Sequence, residues 1–228
     1  MTTEKRYIRN ENMLSPEENR RLREFRVAVA GCGGLGGYIT EMLARLGIGH
    51  LTLIDGDVFE ESNLNRQLIS LPSNLGKPKA VEAGNRIKQV NPHISLDIKQ
   101  VMLDSDNAAD ILKGHDAVCD ALDNIKTRRV LEEAAGKLGI PMVFGAIAGW
   151  YAHIGSIMPG GRMIDKLYPE GAEKGAETKM GNPSFTPALA ASLQVAETVK
   201  ILLGKKGVLK NRILAVDTLE HKYEIIDI

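Results

Sequence analysis

Cysteine is scarce in this chain. Cys32 and Cys119 are the only two among 228 residues. No CxxC pair exists, which excludes a four-cysteine zinc site within one chain. Two cysteines so far apart read as free thiols in a reducing cytoplasm. Net charge is missing too: 29 Lys and Arg balance 29 Asp and Glu. Bulk charge therefore gives no support for a nucleic acid or a membrane surface as partner. No apolar run approaches the roughly 20 residues that cross a bilayer. The opening MTTEKRYIRN has no apolar stretch of the signal-peptide kind. The expectation is a cytoplasmic protein. The five histidines, at 50, 93, 115, 153 and 221, show no metal-ligand spacing, and there is no internal repeat or low-complexity tract.

What is present is an ordinary globular composition, 43% hydrophobic and 25% charged, enough to bury a core without disulfides. SPEENRRLREF opens a helix, with Ser15 as cap, Pro16 in the first turn and Glu18 completing a capping box. RVAVAG is an apolar strand ending in glycine. LGGYITEMLARLG places Leu35, Ile39, Met42, Leu43 and Leu46 on one helical face. HLTLID is a strand, and KPKAVEAGNRIKQV a helix with Pro78 in its first turn and Pro92 beyond its end. ISLDIKQV alternates as a half-exposed strand does. DNAADILKG is a short helix, DAVCDAL a buried strand, Ile125 to Leu138 a helix, and IPMVFGAI a strand. This alternation predicts an α/β fold with a Rossmann-like, mainly parallel sheet and helices on both faces.

The pattern changes beyond residue 148. WYAHIGSIM alternates, and for Trp150 and Tyr151 packing on the sheet is favoured over lining a groove for a partner's tail. Residues 159–184, rich in Gly, Pro, Glu and Lys, read as a long mobile loop. FTPALAASLQVAETVKILLG is a strong helix, with Thr186 as cap, Pro187 in the first turn and Gly204 at the end. RILAVDTLEHKYEIIDI reads as an antiparallel hairpin, so the sheet is extended by antiparallel C-terminal strands. The chain 1–228 is taken as one domain, with a nucleotide-binding half (1–148) and a partner-binding half (149–228).

The chemistry gathers at the strand ends. AGCGGLGG supplies Gly31, Gly33 and Gly36, a G-x-G-x-x-G between strand and helix, and Asp55 follows Gly36 by 19 residues. Glycines let backbone approach a phosphate, the helix N-terminus attracts it, and the acid accepts ribose hydroxyls. Three further positions narrow the chemistry. Arg66 lies in the polar loop after Asp55, Lys79 in LGKPKA, and Asp123 in ALDN just after the fourth strand. Hydride transfer has no use for this set. Attack on a phosphoryl group does: two cations offset charge on the phosphorus and the leaving pyrophosphate, and a carboxylate holds Mg²⁺. Taken singly, Arg66 and Lys79 read as surface charges, Asp123 as a helix cap, and Asp55 and Asp57 as turn residues. The joint pattern is what speaks for a site.

AGCGGLGG, LTLIDGDVFEESNLNRQ, GKPKA and ALDN, in that order and spacing, resemble the MoeB/ThiF/HesA family, the bacterial relatives of ubiquitin-activating enzymes. The resemblance runs from RYIR to the closing hairpin. It implies a single adenylation domain that uses ATP and Mg²⁺ to adenylate the C-terminal glycine of a small ubiquitin-like sulfur-carrier protein. Such carriers serve molybdopterin, thiamine or related sulfur biosynthesis. It places Gly33, Gly34 and Gly36 beneath the nucleotide phosphates and Asp55 on the ribose. Asn63, Arg66, Gln67 and Lys79 match positions around the triphosphate, and Asp123 matches the magnesium ligand. Arg9 matches an arginine that enters the active site of the other subunit of a homodimer.

The chain also departs from the family. Many members bind structural zinc with two CxxC pairs; this chain has neither, so no zinc is expected. Its loop at 159–184 must then be held by packing or order on partner binding. Some members carry a cysteine in that loop for thioester or persulfide chemistry, and here there is none. The reaction is therefore expected to stop at the acyl-adenylate, or sulfur to arrive on a separate protein. Structural roles are favoured for Cys32 and Cys119. The alternatives are an adenylating enzyme acting on a tRNA base or a peptide, an NAD-dependent oxidoreductase, and a silent binding module. The neutral charge weakens the tRNA version; Arg66, Lys79 and Asp123 weaken the oxidoreductase and the silent module.

Overall fold

A computed structural model describes residues 4–228. After a short 3-10 turn at Lys5–Asn10, helix α1 (Pro16–Arg21) begins with the expected capping box. Ser15 accepts from the Glu18 amide, and the Glu18 carboxylate accepts from the Ser15 amide. Then strands and helices alternate: β1 (Arg26–Ala30), α2 (Gly34–Leu46), β2 (His50–Ile54), α3 (Lys79–Val90), β3 (Ser95–Lys99), α4 (Ala108–Leu112), β4 (Ala117–Asp120), α5 (Ile125–Leu138) and β5 (Met142–Ala148). Strand β6 (Tyr151–Ile157) turns back antiparallel. Short helices α6 (Ile164–Leu167) and α7 (Glu177–Met180) follow, then the long α8 (Phe185–Leu203) and the hairpin β7 (Arg212–Asp217) and β8 (Lys222–Asp227).

Among the described residues the strands form one eight-stranded sheet in the order β3-β2-β1-β4-β5-β6-β7-β8. The first five are parallel and the last three antiparallel. The expected fold class is what the sheet displays. Strand alternation sorts the core into two layers. Val27 and Val29 of β1 join Leu35, Ile39 and Leu43 of α2, Ala83 and Ile87 of α3, and Ala191 and Val195 of α8. Ala28 and Ala30 face the other way, toward Leu112 of α4, Leu131 and Ala135 of α5, and Met163 and Ile164. The order of strands reverses between β1 and β4, and in an open α/β sheet the crevice at that switch point, outside the carboxyl ends, is where ligands bind.

Four local readings change. Pro78 is the residue before α3 rather than inside its first turn. Thr186 does not cap α8: Ser184 precedes that helix, and the Thr186 hydroxyl donates to the Gly149 carbonyl at 2.6 Å. Trp150 is 45% exposed, stacked on Phe185 with ring centroids 4.9 Å apart, instead of lying on the sheet. Residues 159–184 contain α6 and α7, and α5 holds their first half. Glu132 accepts from the Met163 and Ile164 amides at 2.7 and 3.0 Å. Arg129 pairs with Asp165 at 2.7 Å and donates to the carbonyls of Tyr168, Pro169 and Ala172. These charged contacts and the buried Met163 and Ile164 hold the first half of the segment by packing.

Candidate active site

The turn from β1 into α2 brings backbone from three strands close together. Gly31 sits at φ +95°, and a Cβ there would lie 2.5 Å from the Ala121 carbonyl oxygen beyond β4. A Cβ on Gly36 would collide with the Gly31 carbonyl. These two positions tolerate only glycine, and they dock the first turn of α2 against the strand ends. Gly33 precedes α2, and no side chain caps the helix there. The amides of the first turn are therefore left to an anionic ligand, with the positive end of a 13-residue helix behind them.

That helix start opens into a cavity of about 580 Å³. Gly31, Gly33 and Gly34 line it from the turn; Asp55, Asp57, Arg66, Gln67 and Lys79 line it from the β2 side; Asp123 lines it from the β4 side. Nine of the expected site residues thus share one cavity. Gly36, Asn63 and Arg9 do not line it. Gly36 serves the close packing just described. Asn63 is buried and shapes the loop: its Oδ1 accepts from the Glu60 amide, and its carbonyl accepts from the amides of Arg66 and Gln67. Arg9 is exposed in the first 3-10 turn. Its neighbour Tyr7 packs on Gly47, at the end of α2 away from the cavity.

Asp55 holds the wall together. One carboxylate oxygen accepts from the Cys32 amide of the glycine turn at 2.7 Å, the other from the Asp57 amide at 2.8 Å. Burial pushes its pKa up, and the two amides pull it back. Each oxygen retains a free lone-pair direction for a hydroxyl. The Lys79 ammonium, buried at the start of α3, lies 3.3 Å from Asp57. The Arg66 guanidinium donates to the Ser62 carbonyl at 2.8 Å and to Asn65 Oδ1 at 2.9 Å, leaving further N–H groups unused. The Gln67 side chain is in contact range of Gly33, and its Oε1 is buried with no hydrogen-bond partner.

Across the cavity, the Asp123 carboxylate is 85% exposed and pairs with Lys174 at 3.2 Å. Among the described residues no three His, Cys, Asp or Glu side chains cluster in a way that could hold a metal. A lone carboxylate at a polyphosphate site suits Mg²⁺, which keeps several waters and takes other ligands from substrate phosphates. Asp123 therefore fits that ion and would be poor support for a permanently resident one. The two thiols are buried. Burial raises the Cys32 thiol well above its ordinary range and pushes Cys119 up to about 12. A helix N-terminus does not make Cys32 a thiolate here.

Several cavity residues escaped the sequence reading. Arg128 is the most consequential. Its guanidinium, buried in α5, donates to the carbonyls of Leu122 and Gly145 and to the Tyr168 hydroxyl, and stacks over Phe144. It lies 3.3 Å from Asp120, the fully buried last residue of β4. Burial pushes the Asp120 carboxyl up to about 6 against the pull of Arg128. Through Leu122, Arg128 fixes the peptide that precedes Asp123. A signal existed: Arg128 and Glu132 fall on the same helical stripe as Ile125, Leu131 and Ala135, where apolar residues belong. Lys174, Glu177, Thr178 and Asn182 also line the cavity, and their loop composition gave no such signal.

The comparisons with known proteins agree with this architecture. The model of the ThiF family matches residues 6–228, and the chain belongs to that family. It is 34% identical over 216 residues to the SAMP-activating enzyme E1 of Haloferax volcanii, covering 93% of this chain and 80% of that protein. It is 35% identical over 220 residues to a sulfur carrier protein adenylyltransferase of Thermus thermophilus, covering 92% and 81%. Among solved structures, E. coli MccB with MccA-N7isoASN matches with a TM-score of 0.85 and 23% identity, over 100% of this chain and 72% of that one. At that identity the likeness is one of fold.

Proposed function

We propose that this ThiF-family chain is an adenylyltransferase that uses ATP to activate the C-terminal glycine of a small ubiquitin-like sulfur-carrier protein ending in Gly-Gly. The observation that carries the reading is the convergence of the glycine turn, Arg66, Lys79 and Asp123 on one cavity. The names of the two relatives, a SAMP-activating enzyme and a sulfur carrier protein adenylyltransferase, support the choice of substrate. Residues 1–148 would serve the nucleotide and 149–228 the carrier.

In this reading the triphosphate rests on Gly33, Gly34 and the start of α2, and Asp55 takes the ribose. Asp57 and Gln67 line the nucleotide wall, and Asn63 shapes the loop behind it. The carrier's terminal carboxylate attacks the α-phosphorus, the bond to the bridging oxygen breaks, and pyrophosphate leaves. Arg66 and Lys79 offset the charge that shifts onto that leaving group in a site partly shielded from water. Mg²⁺ held by Asp123 would supply charge neutralisation on the phosphate oxygens and orientation for in-line displacement.

Arg9 completes the site from the second subunit of a homodimer. Its distance from its own chain's cavity supports action in trans. Leu64, Leu68, Leu71 and Leu75, all at least 37% exposed on the loop that carries Arg66 and just beyond it, offer an apolar face that a second copy would cover.

ATP–pyrophosphate exchange tests the reading. With a small ubiquitin-like protein ending in Gly-Gly, the chain should exchange label into ATP, and the carrier should gain one AMP by intact mass. No exchange with such carriers, together with binding of NAD in preference to ATP, overturns it. For the dimer, Arg9→Ala and Arg66→Ala are each expected to be inactive and to regain activity when mixed, since one composite site is then intact. Failure of the mixture to recover any activity rules out the trans arrangement.

A further inference from the structure

The segment that crosses the cavity is fastened at both ends and exposed between them. At one end the Ile125 amide donates to the Glu173 carbonyl at 3.0 Å. At the other the Gly149 amide donates to the Gly181 carbonyl at 2.7 Å, and the Asn65 amide group to the Asn182 carbonyl at 3.1 Å. Between these ties, helix α7 buries no residue, and Gly181 at φ +73° closes it with open space where a Cβ would be. One long-range charged contact holds this stretch down: the Lys174 ammonium lies 3.2 Å from the Asp123 carboxylate and 3.3 Å from its carbonyl. Both side chains are well exposed, 48% and 85%, so water screens the pair and it is readily exchanged for another partner. Beside it, the Asn182 Oδ1 and Gln67 Oε1 atoms line the same cavity without hydrogen-bond partners.

An ammonium and a divalent cation on the same carboxylate repel each other, so each weakens the hold of the other. We propose that Lys174 is an exchangeable counter-ion of the adenylation site. It neutralises Asp123 while the site is free, gives up that carboxylate when the metal nucleotide binds, and moves onto the phosphates as a third cation beside Arg66 and Lys79. The proposal rests on the adenylyltransferase reading. It adds that the crossing segment, through Lys174, senses whether Asp123 is already engaged.

Binding measurements separate the two ideas. ATP affinity is measured by calorimetry for the wild type, Lys174→Gln and Lys179→Gln, in EDTA and across a Mg²⁺ titration. Lys179 is exposed on the same segment, does not line the cavity, and controls for loss of any loop charge. In EDTA, Lys174→Gln should bind ATP about fivefold more weakly, because a bare Asp123 then faces the triphosphate. The Mg²⁺ concentration at half-saturation should fall by a similar factor, because no ammonium competes. Lys179→Gln should follow the wild type in both. Equal behaviour of Lys174→Gln and wild type, or a loss by one common factor with and without metal, overturns the inference and leaves the enzyme reading intact. A wild type that binds no ATP at all removes the enzyme reading and this inference with it.

Discussion

The two ends of the parallel sheet handle buried polar groups differently. At the amino ends of the strands they close on one another. Thr52 and His115 share a hydrogen bond of 2.7 Å, and the other His115 nitrogen meets the Leu112 carbonyl at 3.0 Å. Asn91 donates to the Tyr7 hydroxyl at 2.7 Å and to the Ala44 carbonyl at 2.8 Å. At the carboxyl ends the bonding is incomplete: Gln67, Asp120, Asn182 and Gln194 each keep a buried side-chain oxygen without a hydrogen-bond partner. An unmet buried acceptor is unfavourable by about 1–3 kcal/mol. A folded chain tolerates several together where a ligand or a charged network recovers the loss. The closed end is scaffold, and the open end is where we place the chemistry.

The glycines break this comparison most sharply. Gly36 at the open end and Gly49 at the closed end both face backbone carbonyls, those of Gly31 and Arg23, so closely that a Cβ would overlap them. Alanine at either should destabilise by about 3 kcal/mol or more, seen as a fall in melting temperature of roughly 6–12 °C for a chain of this size. Only Gly36→Ala should also remove ATP binding, because it displaces the amides at the start of α2. Calorimetry on the folded fraction at low temperature decides the matter. Normal ATP affinity in Gly36→Ala would refute the anion-binding role of that turn.

Charge removal at the open end comes next in size. Arg66→Ala and Lys79→Ala should each lower ATP–pyrophosphate exchange by about 10²–10³, the usual worth of one preorganised cation or donor. Among the described residues the Arg66 side chain hydrogen-bonds only to the nearby Ser62 and Asn65, so the melting temperature of Arg66→Ala should stay within about 2 °C of the parent. A parallel change at the closed end, Thr52→Val, should show the reverse. It strands the His115 nitrogen, lowers stability by about 1–2 kcal/mol and leaves exchange unchanged. If Thr52→Val abolished exchange, the division of labour between the ends would be wrong.

The closed end was much the easier to read from sequence, because its logic is local. Helices α2 and α5 follow their apolar period, and Gly47 and Gly139 end them in the left-handed conformation. Ser15 and Glu18 announce α1 within four residues. That the glycine turn, Asp55, Lys79 and Asp123 would line one cavity was legible for another reason: each stands just after a strand or at a helix start, so the topology gathers them, whereas Arg66 reaches the cavity from the loop beyond Asp55. What was hidden depends on contacts between distant segments. Thr186 has the look of a cap but bonds to Gly149, 37 residues away. The 159–184 segment looked featureless because its order comes from Arg129 and Glu132 on another element. Arg128 stands out on the apolar stripe of α5, but its bonding was hidden because its partners, Asp120, Gly145 and Tyr168, come from three separate parts of the chain.

The smallest expected effect is one of sign. At the closed end, burial holds His115 and His50 below the ordinary histidine range, with the Arg26 charge acting in the same direction. The unfolded chain then binds more protons, so these two groups make stability fall as pH drops from above about 6.5 toward their folded values. At the open end, burial raises Asp120 from the ordinary carboxylate range to about 6. Its folded form binds the extra proton, so its contribution is present below the unfolded pKa and is lost as pH rises through about 6. Acidification should therefore weaken one end and relieve the other. Melting temperature measured across pH 5–7 should slope less steeply in His115→Asn than in the parent, since a titrating group is gone from the closed end. It should slope more steeply in Asp120→Asn, which removes the opposing contribution. Slopes changed in the same direction by both substitutions would mean that the Arg128 guanidinium, rather than burial, governs Asp120, and that the open end holds its charge more comfortably than its missing hydrogen bond implies.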